Sequence, residues 1–171
     1  MDQVDFNKLW QNFVDTVTNH YVDFSGRVGR AQFWYYVLVA FVLGIGVSIV
    51  AAITTHLLST LFALALLLPN LGMAVRRLHD SGKPGIWALL LLVPVLVQIL
   101  LGLMVFSVGM WGVFGIFYAL IQLVSLASLV AVVIIIYFCV QPGEPGSNVY
   151  GPPPGEWTPK GTATPTAPPA A

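Results

Sequence analysis

Charge is what this chain has least of. Asp, Glu, Lys and Arg make up 8% of its 171 residues and hydrophobic ones 57%, whereas a soluble domain is charged at about a quarter of its positions. With a mean hydropathy of +0.85, a water-soluble globule is excluded and the chain belongs in lipid. It also lacks charge of a dominant sign. Seven basic and seven acidic residues cancel, which removes both the basic surface of a nucleic-acid binder and an acidic solubilising tail. A lone cysteine, Cys139, cannot close an intramolecular disulfide and reads as a buried, inert thiol in an apolar run. The opening MDQVDFNKLW has neither a basic n-region nor a small-residue cleavage site, so no removable signal peptide is expected and the spans themselves direct insertion.

Catalytic signatures are missing as well. There is no Walker-type phosphate loop, no HExxH and no nucleophile elbow. His20, His56, His79 and Cys139 are scattered along the chain, so neither a metal site nor a cofactor is expected.

What is there is sharply organised. All charged residues fall into three clusters, Asp2 to Arg30, Arg76 to Lys83 and Glu144 to Lys160, separated by the charge-free tracts 31–75 and 84–143. Crossing a bilayer takes about 20 apolar residues at about 1.5 Å each, so each tract holds two spans. The sequence therefore predicts an all-α integral membrane protein with four transmembrane helices in two hairpins. The spans are expected near 33–53, 57–75, 86–106 and 114–140, within a transmembrane domain of residues 24–140. The uncharged segments 53–58 and 107–112 read as hairpin tips. Arg27, Arg30, Arg76, Arg77 and Lys83 all flank one side and no basic residue flanks the other. The positive-inside rule then places both termini and the central loop in the cytoplasm. Phe33 to Tyr36, Trp87, Tyr137 and Phe138 sit at the expected membrane edges.

The two ends differ from the middle. Residues 1–23 carry Val4, Phe6, Leu9, Trp10, Phe13, Val14, Val17 and Tyr21 at three- and four-residue steps, the stripe of an amphipathic interfacial helix. Its polar face is read as Asp2, Asp5, Lys8, Gln11, Asn12 and Asp15, too acidic to bind anionic lipid unaided. Residues 141–171 are rich in Pro, Gly, Ala and Thr and are expected to form a mostly disordered cytoplasmic tail beyond about Pro154.

Three motifs resemble a known family: FSGRVGRAQFW at 24–34, PNLGMAVRRLHDSGKPGIWALLLLVP at 69–94 and PGEPGSNVYGPPP at 142–154. In this order they are similar to the signature blocks of the YhaH-like bacterial inner-membrane proteins called domain of unknown function 805. The resemblance implies a small multi-span inner-membrane protein without an assigned activity. Short members run from the Trp-Pro span almost directly into the exit motif, whereas here about 35 further apolar residues, roughly 102–136, complete a fourth helix. The first two blocks also echo one another, as Ser25-Gly26-Arg27 and Ser81-Gly82-Lys83.

Topology brings the three motifs to one face, and RRLHDSGK admits several readings. In the structural one, Arg76 and Arg77 snorkel to lipid phosphates, Asp80 and Ser81 cap the following helix, Gly82 turns and Pro84 starts the helix. In the binding one, Arg27, Arg30, Arg76, Arg77, His79, Asp80, Lys83 and Asn148 form a basic face for anionic lipid headgroups or a partner protein. A catalytic reading makes His79 a general base acting on a phosphorylated or lipid substrate, but neighbouring His79 and Asp80 diverge on a helix. Transport would use Asn70, Gln98, Gln122, Ser125 and Ser128 or the breaks at Pro69 and Pro94. None of these is charged, so helix–helix hydrogen bonding is the better account. Gly44, Gly46 and Ser48 read as close-packing positions. The functional expectation is a non-enzymatic membrane component. Its partners are the lipid bilayer, anionic lipid, a cytoplasmic or membrane protein, or further copies in a homo-oligomer, and not nucleic acid.

Overall fold

The computed structural model describes residues 6–108, 114–155 and 157. The tip at 109–113 and nearly all of the tail beyond Gly155 lie outside the described residues, as do Asp2, Val4 and Asp5. The architecture is all-α: α1 Phe6–Asn19, α2 Arg30–Ile53, α3 His56–Asp80, a 3-10 turn Gly85–Ala88, α4 Leu89–Val108 and α5 Phe114–Val140. Among the described residues three helices are long and apolar enough to cross a membrane, Arg30–Ile53, Leu57–Asp80 and Phe117–Val140, while the described apolar stretch Gly85–Leu101 is shorter. α2 pairs with α3 and α4 with α5. The hairpins meet where α3 packs on α5 and on the 3-10 turn, and this end, carrying all three motifs, is called the motif end below.

Helices lie at all four expected positions with shifted ends, and three of them are long and apolar enough to be spans. α2 starts at Arg30 and α3 runs on to Asp80, so RRLHD is the last turn and a half of a helix rather than a loop. Pro69 and Pro94 lie inside α3 and α4. The first hairpin tip is closed by Thr55, whose side chain accepts from Leu57 N at 3.3 Å, a conventional N-cap. Outer faces of the spans remain apolar and exposed, for example Phe41 at 65% and Leu123 at 63%, as surfaces facing lipid must be.

Polar side chains inside the spans bond between helices, as expected from the lack of water at that depth. Tyr36 Oη donates to Asn70 Oδ1 at 2.8 Å across the first hairpin. In the second, Gln98 Nε2 donates to Ser125 Oγ at 3.1 Å. Close packing at the α2 glycines is not found as expected: a Cβ on Gly44 would only touch Phe62 at 3.9 Å, and one on Gly46 would meet nothing within 4 Å. The groove between α2 and α3 stays open there.

The N-terminal helix is not simply laid on a surface. α1 buries Leu9, Asn12, Phe13 and Thr16 against α2 and α3, and Phe13 stacks on Tyr36 with centroids 5.6 Å apart. Asn12, assigned above to the polar face, is fully buried and donates to Gln32 O at 2.8 Å. Its spacing of three from Leu9 and four from Thr16 puts it on the packed stripe, where its Nδ2 meets a backbone acceptor while its buried Oδ1 has no hydrogen-bond partner. Phe6 and Trp10 remain 82% and 49% exposed, so the apolar face is wider than the contact it makes.

Candidate functional site

The motif end is built from the last turn of α3 outward. After Asp80 the helix closes in a Schellman arrangement, with Lys83 N donating to Leu78 O at 2.8 Å and Gly82 N to His79 O at 3.1 Å, which requires a left-handed residue at Gly82. Gly82 has φ +70° and Gly26, its counterpart in the Ser-Gly-basic echo, φ +73°. The echo is therefore a shared left-handed glycine, not a shared turn, since only Gly82 closes a helix. Ser81 Oγ donates back to Leu78 O at 3.0 Å and Asp80 is occupied elsewhere, so neither caps the next helix. The reading of those two residues as an N-cap is corrected.

Asp80 is the centre of the site. Its carboxylate, 5% exposed, accepts from Arg27 Nη2 at 2.9 Å and Arg27 Nε at 3.1 Å on one oxygen and from Arg77 Nη1 on the other. Arg27, whose side chain is 1% exposed, also donates to the carbonyls of Glu144 at 2.5 Å and Gly146 at 2.7 Å. Arg77, with no exposure, donates to Cys139 O at 3.0 Å and to Gln141 O. Charge-assisted bonds of this kind are the strong ones. Here they tie the segment before α2, the end of α3 and the segment after α5 into one knot.

The remaining contacts tighten it. Val28 N donates to Arg76 O at 3.1 Å and Glu144 N to Asp80 O at 2.8 Å. Asn148 Nδ2 donates to His79 O at 2.9 Å and to Glu144 Oε2 at 2.8 Å, while its Oδ1 accepts from Tyr150 N at 2.9 Å. That turn lays the Tyr150 ring on His79, with centroids 3.8 Å apart and planes 3° from parallel. His79 Nδ1 meets Gly26 O at 3.2 Å. His79 and Asp80 thus point to different partners, as expected for helix neighbours.

Arg76 turns the other way, toward α1. It is 6% exposed, its Nη1 lies 3.6 Å from Asp23 Oδ2, and its Nη2 contacts Met73 Sδ at 3.2 Å. Burial alone would raise the Asp23 pKa, but hydrogen bonds from Ser25 and His20 and the nearby Arg76 charge outweigh it and hold the carboxyl at about 2. Asp23 is therefore ionised opposite Arg76. The loop bearing it sits directly on α3 at Gly72, where an added Cβ would lie 2.8 Å from Asp23 O. Gly72→Ala is expected to cost about 1–2 kcal/mol through overpacking, measured as a lowered thermal midpoint in detergent.

The structure thus corrects one part of the sequence reading: Arg76 and Arg77 do not snorkel outward, because the half-buried Asp23 and a sulfur meet Arg76, and the buried Asp80 and two carbonyls meet Arg77. Of the eight candidates, Arg27, Arg77, His79, Asp80 and Asn148 are brought together. Arg76 faces α1, Arg30 is exposed at the first turn of α2, and Lys83 places Nζ 5.5 Å from the Phe138 ring centroid. Sequence reasoning missed Asp23, Gly72, Gly143 and Glu144. Only the Asp-x-Ser spacing of Asp23 and Ser25 carried a local signal, that of a side-chain-stabilised turn. Among the described residues no group of three or more His, Cys, Asp or Glu could hold a metal ion.

The inner membrane protein YhaI of Escherichia coli (strain K12) is 40% identical over 82 residues, covering 46% of this chain and 70% of that protein. The inner membrane protein YhaH of the same strain is 35% identical over 85 residues, with the same coverages. No solved structure matches at a significant level. The family described as protein of unknown function (DUF805) matches over residues 21–152, from just before the Asp23 turn to just past Gly151. The chain is a membrane protein and belongs to that family.

Proposed function

We propose that this protein is a non-enzymatic component of the bacterial cytoplasmic membrane, with four spans and both ends inside. In this reading the motif knot is a clamp that joins the two hairpins, and the basic residues at its rim, Arg30 and Lys83, contact anionic lipid headgroups. The observation that carries it is the engagement of Asp80. A carboxylate held by two buried guanidiniums is not available to orient a base or coordinate a substrate. His79 is likewise turned to a backbone carbonyl and covered by Tyr150. The motif is explained by holding segments together, a role that accounts for the histidine and aspartate which a plain cytoplasmic turn does not need. The orientation is supported by the five-to-zero distribution of flanking basic residues, and the fourth span by the pairing of α4 with the full-length α5.

The headgroup contact moves outward from the arginines first considered. Each surface cation near an anionic leaflet contributes about 1 kcal/mol, about fivefold in affinity. Arg30→Gln and Lys83→Gln are each expected to weaken retention of phosphatidylglycerol about fivefold, read by native mass spectrometry of the protein released from micelles. A folded double variant that retains phosphatidylglycerol like the wild type would overturn the headgroup reading.

A further inference from the structure

We infer that the cleft between the start of α4 and α5 binds one anionic phospholipid, with an acyl chain in the cleft and the phosphate at Lys83. This rests on the headgroup reading above and names a site for it. The cleft has a volume of about 480 Å³ and is walled by Ile86, Trp87, Leu90 and Pro94 on one side and by Ala127 and Ala131 on the other. That volume lies in the range of small-ligand sites, about 300–1,000 Å³. It exists because small residues on α5 face a helix start that is not yet α-helical, the 3-10 turn Gly85–Ala88.

The position of the cleft selects the occupant. Ala131 and Phe138 are seven residues apart on α5, about 10 Å along a helix, so the cleft runs from the motif end into the hydrophobic layer. Its mouth is marked by Phe138, against which Trp87 packs edge-on at 5.4 Å, and by Lys83, whose ammonium sits 5.5 Å from the same ring. The Schellman bonds of Gly82 and Lys83 fix the Lys83 backbone and its ammonium lies over the Phe138 ring, which together place the cation at the mouth. The Glu144 carboxylate faces Gly82 but is engaged by Asn148. Apolar walls deep in the layer, an aromatic edge and a cation at the polar end together match a phospholipid of negative headgroup, with Lys83 as the complementary charge. Ile86 at 68% and Trp87 at 40% exposure leave the side of the cleft open to the bilayer from which such a molecule enters.

The test is native mass spectrometry of the full chain titrated with phosphatidylglycerol or phosphatidylcholine. Ala127 is exposed in the cleft, so Ala127→Phe fills it without entering the packed core, and Ala127→Leu serves if the larger side chain impairs folding. The filled variant is expected to lose the bound lipid at least tenfold. Lys83→Gln is expected to lose phosphatidylglycerol about fivefold while leaving phosphatidylcholine unchanged. Unchanged retention in a folded Ala127 variant would overturn the cleft, even where Arg30→Gln and Lys83→Gln still weaken headgroup binding. Loss of both lipids on filling, with no effect of Lys83→Gln, would overturn the placement of the phosphate.

Discussion

Asp80→Asn is expected to lower stability by about 3–5 kcal/mol, the range for breaking a buried ion pair from one side. The size follows from what the carboxylate leaves behind. Arg27 and Arg77 have side-chain exposures of 1% and 0%, and both would keep a full charge in the interior with only carbonyls as acceptors. The isosteric amide adds an N–H donor where three guanidinium donors converge. A chemical or thermal denaturation series in one detergent, with wild type and variant side by side, reads the difference directly. Arg30→Gln, at the exposed rim, serves as the matched control and is expected to change stability by no more than about 0.5 kcal/mol. The same comparison separates a structural knot from a binding face, since a residue that only meets lipid leaves the unfolding midpoint where it was.

Gly143→Ala is expected to be nearly as damaging, at about 3 kcal/mol. A Cβ at this position would lie 2.2 Å from Asp80 Oδ2 and 2.6 Å from its carboxyl carbon. Overpacking of a buried contact typically costs about 1–3 kcal/mol because neighbours yield by rotating or shifting. Here the neighbour cannot yield without loss, as Asp80 is pinned by two arginines, and the upper end applies. The alternative relief is for the segment after α5 to lift away, which surrenders the Glu144 and Gly146 carbonyls to Arg27 and the Glu144 N bond to Asp80 O. Hydrogen exchange over residues 142–151 distinguishes the two: fast exchange there, with α2 and α3 unchanged, is the expected pattern. A Gly143→Ala protein with wild-type stability and protection would mean that the segment is not seated on Asp80.

The placement of helices was legible because lipid leaves little choice. Two charge-free tracts have room for paired helices, and the predicted fourth span, 114–140, coincides with α5. The end of α3 was not legible. Two arginines, a histidine and an aspartate look like a stop at the membrane edge when their partners are unknown, and those partners lie far along the chain, Arg27 53 residues before Asp80 and Cys139 62 after Arg77. Local pattern carries no information about such pairs. Asn12 failed for a related reason. Its position fits both faces of an amphipathic helix, and only the Gln32 carbonyl decides between them. The glycines at 72 and 143 were silent because close approach of a distant segment leaves no mark in neighbouring residues, whereas Gly82 was readable as a turn from its place just before Pro84 and the third span. The meeting of three motifs on one face was readable from topology. That they meet by binding one another was not.

A double-mutant cycle on Arg27→Gln and Asp80→Asn, measured by denaturation in one detergent, tests the knot most directly. The two changes are expected to be strongly non-additive, with a coupling of about 1–3 kcal/mol, because both remove the same Arg27–Asp80 bonds and because Asp80→Asn strands two buried guanidiniums in the wild type but only that of Arg77 once Arg27 is gone. Additivity within about 0.5 kcal/mol would mean that Arg27 and Asp80 act independently, and the knot would not be what joins the three motifs.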